Sequence, residues 1–385
     1  MIDNGALSEL VAQARQWRRH LHAHPETAFE EFETAAFIAE KLKALGMDVH
    51  TGIATTGVVA SIRRGNGRSI ALRADMDALH LTETNSFPYR STKSGKMHGC
   101  GHDGHSAMLL AAAHYLSNAD FSGTLSFIFQ PAEENEAGAK AMIEESVLER
   151  FDIEEIYGLH NWPGLPAGTI AARIGPQMAA FDTFEVTIRG RGTHAAMPHL
   201  GNDVVVATGH IIAAIQAIVS RAIDPQKTAV VSVTQVHGGE TWNVIPDTMT
   251  IRGCTRHFDT DVQKILRQSL ADICENVSRA FGASAELNYL PRYPSVINTP
   301  EQTKLCQEVA ATVVGLSRTE INLPPSMASE DFAFFLNKRP GCYAWIGNGS
   351  SEGGCLLHSP NYDFNDDIIE TGIRYWVSLV QSRLR

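Results

Sequence analysis

The chain has 385 residues, of which 44% are hydrophobic and 19% charged, and a formal net charge of −11. That length exceeds what one hydrophobic core usually serves, so two domains are expected, and the composition leaves no room for long disorder. The acidic balance, without any block of Lys or Arg, argues against nucleic acid or an anionic membrane as the main partner, while an anionic small substrate needs only one or two local cations. The N-terminal stretch Met1-Ile2-Asp3-Asn4-Gly5 lacks the basic and apolar regions of a signal peptide, and no run of about 18 apolar residues suggests a membrane span. Cys100, Cys254, Cys274, Cys306, Cys342 and Cys355 are scattered with no CxxC pair, as in a reducing cytoplasm.

Leu7, Leu10, Val11, Ala14 and Trp17 recur at helical spacing and predict a helix over 6–22. A second helix, over 30–45, stops at Gly46. The β-branched runs 58–62 and 69–73 flank Gly65-Asn66-Gly67 and read as a hairpin. The later run leads into Asp75-Met76-Asp77, two carboxylates at i and i+2 that face the same way. Helix 106–116, strand 124–129, helix 137–148 and strand 156–159 follow, an alternation that argues for an α/β sheet covered on both faces. Near residue 180 the pattern changes. Strand 183–189 alternates cleanly; then come helix 203–221, strands 227–236 and 248–257, helix 261–280 and strand 283–290, the split βαβ order of a small open sheet with two helices on one side. Helix 300–314, a short helix 332–336 capped by Ser329-Glu330-Asp331, strand 342–346 and a closing helix 366–385 complete the chain. The expected architecture is a mixed-sheet α/β/α domain over 1–180 plus 292–385, interrupted by an α+β, ferredoxin-like domain over 181–291.

The chemistry concentrates in His98-Gly99-Cys100-Gly101-His102-Asp103-Gly104-His105, a Gly-rich turn ahead of helix 106–116. A cysteine between two glycines has little local packing to join. Three other stretches answer to it: Pro131-Ala132-Glu133-Glu134, Gly158-Leu159-His160-Asn161 and Leu357-His358-Ser359-Pro360. Cys, His and Glu are the residue types that bind Zn, Mn or Co, so these pieces are expected to converge on a metal centre that activates water. Adjacent carboxylates after an apolar strand repel unless cations or protons compensate. Glu133 and Glu134 read either as a solvated helix start or as a working pair, with Glu134 on metal and Glu133 holding the water.

These stretches, together with Arg73-Ala74-Asp75-Met76-Asp77-Ala78-Leu79, Gly192-Thr193-His194-Ala195-Ala196-Met197-Pro198 and Asn243-Val244-Ile245-Pro246-Asp247, resemble the M20 metallopeptidases. Within that family the chain is similar to the amidohydrolase branch of hippurate hydrolases, N-acyl-amino-acid aminoacylases and auxin-conjugate hydrolases. The resemblance implies two divalent metal ions held by Cys100, His102, Glu134, His160 and His358, with Cys100 as the bridging ligand where the wider family has Asp. It makes Glu133 the general base and then the acid, and Asp77 the residue that orients a histidine ligand. Asp75 is read as satisfying backbone groups, and His98 and His105 as helix-start packing. The inserted domain becomes a lid and dimerisation domain, in which His194 reaches a partner subunit's site to stabilise the oxyanion. Asn243 and Arg256 hold the substrate's carbonyl or carboxylate, with Arg252 a competitor for the latter role. His80 stands where the family usually has proline, and Cys254 is read as packing.

The resemblance thus implies an enzyme, a homodimer or dimer-based tetramer through the inserted domain, that cleaves N-acyl or N-aroyl amino acids, and the scattered cysteines imply a cytoplasmic one. A dipeptidase or aminopeptidase would need an acidic group for a free ammonium, which the sequence does not locate. A catalytically dead, metal-stabilised binding protein would have no use for Glu133.

Overall fold

The structure, a computed structural model, describes residues 4–350 and 356–385; Met1, Ile2, Asp3 and Cys355 lie outside the described residues. In chain order the first strands are Asp48–Ile53 (β1), Gly57–Arg64 (β2), Ser69–Asp75 (β3), Gly123–Gln130 (β4), Glu155–Pro163 (β5), Ile170–Ala171 (β6), Gly175–Met178 (β7) and Ala180–Arg189 (β8). They continue with Thr193–His194 (β9), Ala229–His237 (β10), Val244–Ile245 (β11), Thr248–His257 (β12), Ser284–Tyr293 (β13), Val296–Asn298 (β14), Thr319–Glu320 (β15) and Gly341–Gly349 (β16). The helices are Asn4–Ala23 (α1), Phe32–Ala44 (α2), His102–Leu116 (α3), Gly138–Glu144 (α4), Val147–Arg150 (α5), Val204–Ile215 (α6), Thr260–Ala280 (α7), Pro300–Val314 (α8), Ala333–Leu336 (α9) and Ile369–Arg383 (α10). Two compact units result: Met1–Gln177 with Val296–Pro324 and Asp331–Arg385, and Met178–Ser295 with Pro325–Glu330.

The first unit is built on a mixed eight-stranded sheet of order β1-β2-β4-β3-β5-β16-β6-β15. β3 runs parallel to both β4 and β5, and β16 parallel to β5, while β1, β2 and β4 pair antiparallel. Every residue of β3 is buried, so both faces of the sheet are covered at its centre. Helix α3 is buried along nearly its whole length, with α1 and α10 packed on it and β3 beneath it. Leu72, Leu109, Phe127, Tyr157 and Trp376 belong to the resulting core. Gly46, at φ +72°, stands just past the end of α2, where a left-handed residue closes a helix.

Two expectations fail here. β2 and β3 do not form a hairpin, because β4 lies between them, antiparallel to one and parallel to the other. Glycines at the junction let the start of β4 press against the connecting loop: a Cβ on Gly67 would lie 2.5 Å from the Ser122 carbonyl oxygen, and Thr124 donates to the Arg68 carbonyl at 2.9 Å. Nor do Ser329-Glu330-Asp331 cap the short helix. It begins at Ala333 after Phe332 with no side-chain cap, and the Asp331 carboxylate turns to Arg73, Gln130 and the Ala139 N–H instead.

The second unit carries an antiparallel four-stranded sheet of order β10-β12-β8-β13, with α6 and α7 packed on each other and against it. The sequence β8-α6-β10-β12-α7-β13 is the split βαβ order. Asp203 caps α6 by accepting from Val205 and Val206 N–H at 3.0 Å. α6 and the π-helical turn after it, Val204–Ala222, are together long and apolar enough to cross a membrane by length and composition alone, although His210, Gln216 and Arg221 interrupt the apolar run. Val204, Ile211 and Ile215 instead join the core with Phe184, Val186, Leu266 and Leu270. A ladder of β9 with β11 pairs His194 with Val244.

Candidate metal centre

Because β3, β4 and β5 are parallel, their carboxyl ends emerge at one edge of the sheet, where open α/β sheets carry their clefts. Asp75 closes β3 and Asp77 follows it; Glu133 and Glu134 follow β4; His160 lies in β5. Cys100 and His102 arrive on the turn that opens α3. That turn needs Gly101: its φ is +93°, and a Cβ there would lie 2.3 Å from Asn161 Oδ1.

The five sequence-predicted ligands come together. Ligand atoms of Cys100, His102 and Glu134 all lie within 4.8 Å of one another. Cys100 Sγ is 3.5 Å from His160 Nε2, and His358 Nε2 is 3.0 Å from Glu134 Oε1. Cys100, His102, His160 and Glu133 are buried, whereas His358, on a left-handed backbone at φ +62°, is exposed. A second group, Asp75, His102, His105 and His160, also brings its ligand atoms within 4.8 Å, so His102 belongs to both.

Hydrogen bonds fix the tautomers. His102 Nδ1 donates to the Asp77 carbonyl at 2.9 Å, with Asp77 Oδ1 at 3.2 Å, and His160 Nδ1 donates to the Asn161 carbonyl at 2.6 Å. With Nδ1 so committed, Nε2 is the ring nitrogen each histidine turns to the cluster, and His102 Nε2 is buried without a hydrogen-bond partner among the described residues. Burial disfavours a charged His102, yet Asp75, Asp77 and Glu134 outweigh it and raise its pKa to about 10. Burial and neighbouring His105 hold His160 well below the usual histidine range. An orphaned imidazole nitrogen in a carboxylate field, beside a thiol and a second imidazole, is a donor set that fits a borderline divalent cation.

A buried layer supports the cluster. Asp75 is not spent on backbone groups: it accepts from Arg73 Nη1 at 2.7 Å and from His105 Nδ1 at 2.6 Å. His105 in turn accepts the Asn161 N–H at 2.9 Å, so it ties α3 to β5 rather than merely packing. His98 is buried with neither ring nitrogen bonded among the described residues, and burial pushes its pKa down to about 4. His80 is exposed.

Sequence reasoning missed several supports. Glu31, fully buried, accepts from Thr56 Oγ1 at 2.6 Å and from the Ala132 N–H at 2.9 Å; burial and then Asp77 raise its pKa to about 7. Arg18 of α1, fully buried, donates to Asp103 at 2.8 Å and also meets Asp363 and Asp366. A signal existed for Arg18: it stands four residues after Ala14 and three before Leu21, on the apolar face of its helix. An arginine inside the apolar run of β3 was a comparable signal for Arg73.

The second unit holds the other predicted residues. His194 Nδ1 accepts the Ala196 N–H at 3.0 Å, which places the ring proton on Nε2 as a donor. The Ala195 N–H donates to the Asn243 carbonyl at 2.9 Å, so Asn243 lies just beyond the end of the β9–β11 ladder, next in the chain to Val244, which pairs with His194. The Arg256 guanidinium lies 4.2 Å from the centre of the Phe181 ring, and Nη1 donates to Ser329 Oγ at 3.1 Å and the Met327 carbonyl at 3.3 Å. Cys254 is half-buried in β12, and the five described cysteines are free thiols.

Residues 71–382 match the sequence model of peptidase family M20/M25/M40. The chain is 38% identical over 378 residues to a hippurate hydrolase of Campylobacter jejuni, covering 98% of each sequence. It is 41% identical to an N-acetyl-L-cysteine deacetylase of Bacillus subtilis, over 94% of this chain and 86% of that one. A crystal structure of a dinuclear metal binding peptidase of the M20 family from Bacillus subtilis superposes with a TM-score of 0.86 at 34% identity, covering 98% of this chain and 99% of the other.

Proposed function

The chain belongs to peptidase family M20/M25/M40 and is a metal-dependent hydrolase of amide C–N bonds, and from that premise we propose that it cleaves N-acyl or N-aroyl amino acids to a carboxylic acid and a free amino acid. The observation that carries this reading is Glu133, a buried carboxylate one residue from Glu134 of the ligand cluster and outside the five-residue ligand set. A purely structural site closes its coordination and needs no such neighbour.

In this reading Cys100, His102, Glu134, His160 and His358 hold two divalent ions, Zn, Mn or Co. Bound there, the metal pair supplies Lewis acidity, lowering the pKa of a water and polarising the amide carbonyl. Glu133 takes the proton from the attacking water and later delivers it to the departing nitrogen. Asp77 keeps the His102 proton on Nδ1, so that Nε2 remains a ligand. The second unit serves as lid and dimerisation domain of a homodimer, in which the partner subunit's His194 donates from Nε2 to the carbonyl oxygen as its charge develops. Asn243 binds the carbonyl and Arg256 the free carboxylate. The free thiols accord with a cytoplasmic location.

The test combines Glu133→Gln with a substrate panel of N-benzoylglycine, N-acetyl amino acids and free dipeptides. Glu133→Gln is expected to keep its metal and lose about 10²–10⁴-fold in kcat. The intact enzyme is expected to turn over the acylated substrates and leave free dipeptides untouched. Full turnover by Glu133→Gln removes the base assignment, and dipeptides hydrolysed in preference to acylated amino acids overturn the substrate class.

A further inference from the structure

The loop that presents Glu133 and Glu134 is wound against its own backbone preference. Between positions 132 and 137 three residues other than glycine are left-handed: Ala132 at φ +54°, Asn135 at +70° and Ala137 at +58°. A Cβ makes that conformation unfavourable, and it persists where surrounding contacts over-determine it.

Here the surroundings are three buried carboxylates from elsewhere in the chain, each accepting a backbone N–H of the loop or of the helix that follows it. Glu31 takes Ala132 at 2.9 Å, Asp77 takes Glu134 at 2.9 Å, and Asp331 takes Ala139 at 2.8 Å. Asp331 is itself fixed by Gln130 Nε2 at 2.9 Å and Arg73 Nη2 at 3.2 Å. Asp77 also meets His102. Glu31 alone of the three touches no member of the ligand cluster and has no cationic partner among the described residues. Its carboxylate accepts from the Thr56 hydroxyl and the Ala132 N–H. A carboxylate is not buried for packing; what this one holds is the first left-handed residue of the turn, immediately before Glu133.

We propose that Glu31 is a positioning residue for the proton transfer: by gripping the Ala132 N–H it keeps that turn left-handed and so aims the Glu133 carboxylate. The proposal rests on the reading of Glu133 as the proton carrier. Because Glu31 acts on direction and not on substrate or metal, it predicts a split between kinetic constants. Glu31→Ala is expected to lower kcat about 10- to 100-fold while KM and metal content, measured by mass spectrometry, stay within about twofold. Glu31→Gln, whose amide oxygen can still accept from Ala132, is expected to recover most of that loss. Should Glu31→Ala fail to fold, Thr56→Val serves instead, since it removes only the hydroxyl that pins the other Glu31 oxygen. It is expected to lower kcat severalfold at unchanged KM.

Undiminished kcat in the alanine or valine variant overturns the proposal. So does a kcat loss matched by an equal loss of metal or an equal rise in KM, or a Gln variant no better than Ala. A fully active Glu133→Gln is a different result: it removes the reading of Glu133 and leaves the kinetics of the Glu31 variants without a carrier to act on.

Discussion

Arg252 and Arg256 stand four residues apart on β12 and meet opposite surroundings. Arg252 faces Glu185 across the β8–β12 register and is paired with it at 2.5 Å. Arg256 faces Phe181 in the same register, rests on its ring, and ties down Nη1 alone, with no carboxylate partner among the described residues. Its remaining N–H groups form the fork that suits a carboxylate. Arg256→Ala is therefore expected to lower kcat/KM for N-benzoylglycine about 10- to 100-fold, or roughly 1.4–2.8 kcal/mol, and to leave N-benzoylglycinamide nearly unaffected. Arg252→Ala should change neither by more than about twofold. Equal losses on both substrates would count against the carboxylate role. The ambiguity between these two arginines was not resolvable from sequence, because what separates them is the residue across the sheet. The ligand cluster was legible, since Cys, His and Glu advertise their chemistry by type. Glu31 was not, because its burial depends on Ala132, 101 residues away.

Strands β8, β12 and β13 and helix α7 are fastened at one atom. Asp182 Oδ2 accepts from Tyr289 Oη at 2.6 Å, Gln263 Nε2 at 2.8 Å and His257 Nε2 at 3.1 Å, one partner from each neighbouring element. Burial pushes the Asp182 pKa up, but the hydrogen bonds from His257, Tyr289 and Gln263 outweigh it and hold the carboxyl below its usual range. A depressed folded pKa gives stability that is fully present above the unfolded value of about 3.9 and is lost as pH falls through the folded value. Asp182→Asn should thus cost roughly 1–3 kcal/mol at pH 7, and the gap from the parent should narrow as pH falls from about 4 toward 3. Urea midpoints at both ends of that range check it; a gap that is absent at pH 7, or equally wide at pH 3, refutes the assignment. The order of β8, α6, β10, β12, α7 and β13 was readable because alternation and helical spacing are local signals. The two-residue strands β6, β9, β11 and β15 are too short to carry a period. The supposed hairpin before β3 failed because a Gly-rich junction looks the same whether the chain turns back or lets another strand in.

The two units have separate hydrophobic cores, one gathered around α3 and the central sheet, the other between α6, α7 and their four strands. All five residues assigned to the metals belong to the first unit, although they are drawn from positions 100 to 358. A cation bound by them is available only to the folded form, since an unfolded chain scatters these groups over more than 250 positions. Mass action then stabilises the fold by about 2.7 kcal/mol when free metal exceeds its dissociation constant 100-fold. For a domain of this size each kcal/mol moves the midpoint by about 2–4 °C, so dialysis against a chelator should lower the melting temperature by roughly 5–10 °C. Adding back Mn²⁺, Co²⁺ or Zn²⁺ should restore it. Calorimetry of Cys100→Ala supplies the control: it should begin near the chelated midpoint, corrected for its lost packing, and respond less to added metal than the parent does. A parent whose midpoint ignores both chelator and metal has no folding-linked cation at this cluster, and a Cys100→Ala variant that gains as much as the parent binds its metal elsewhere.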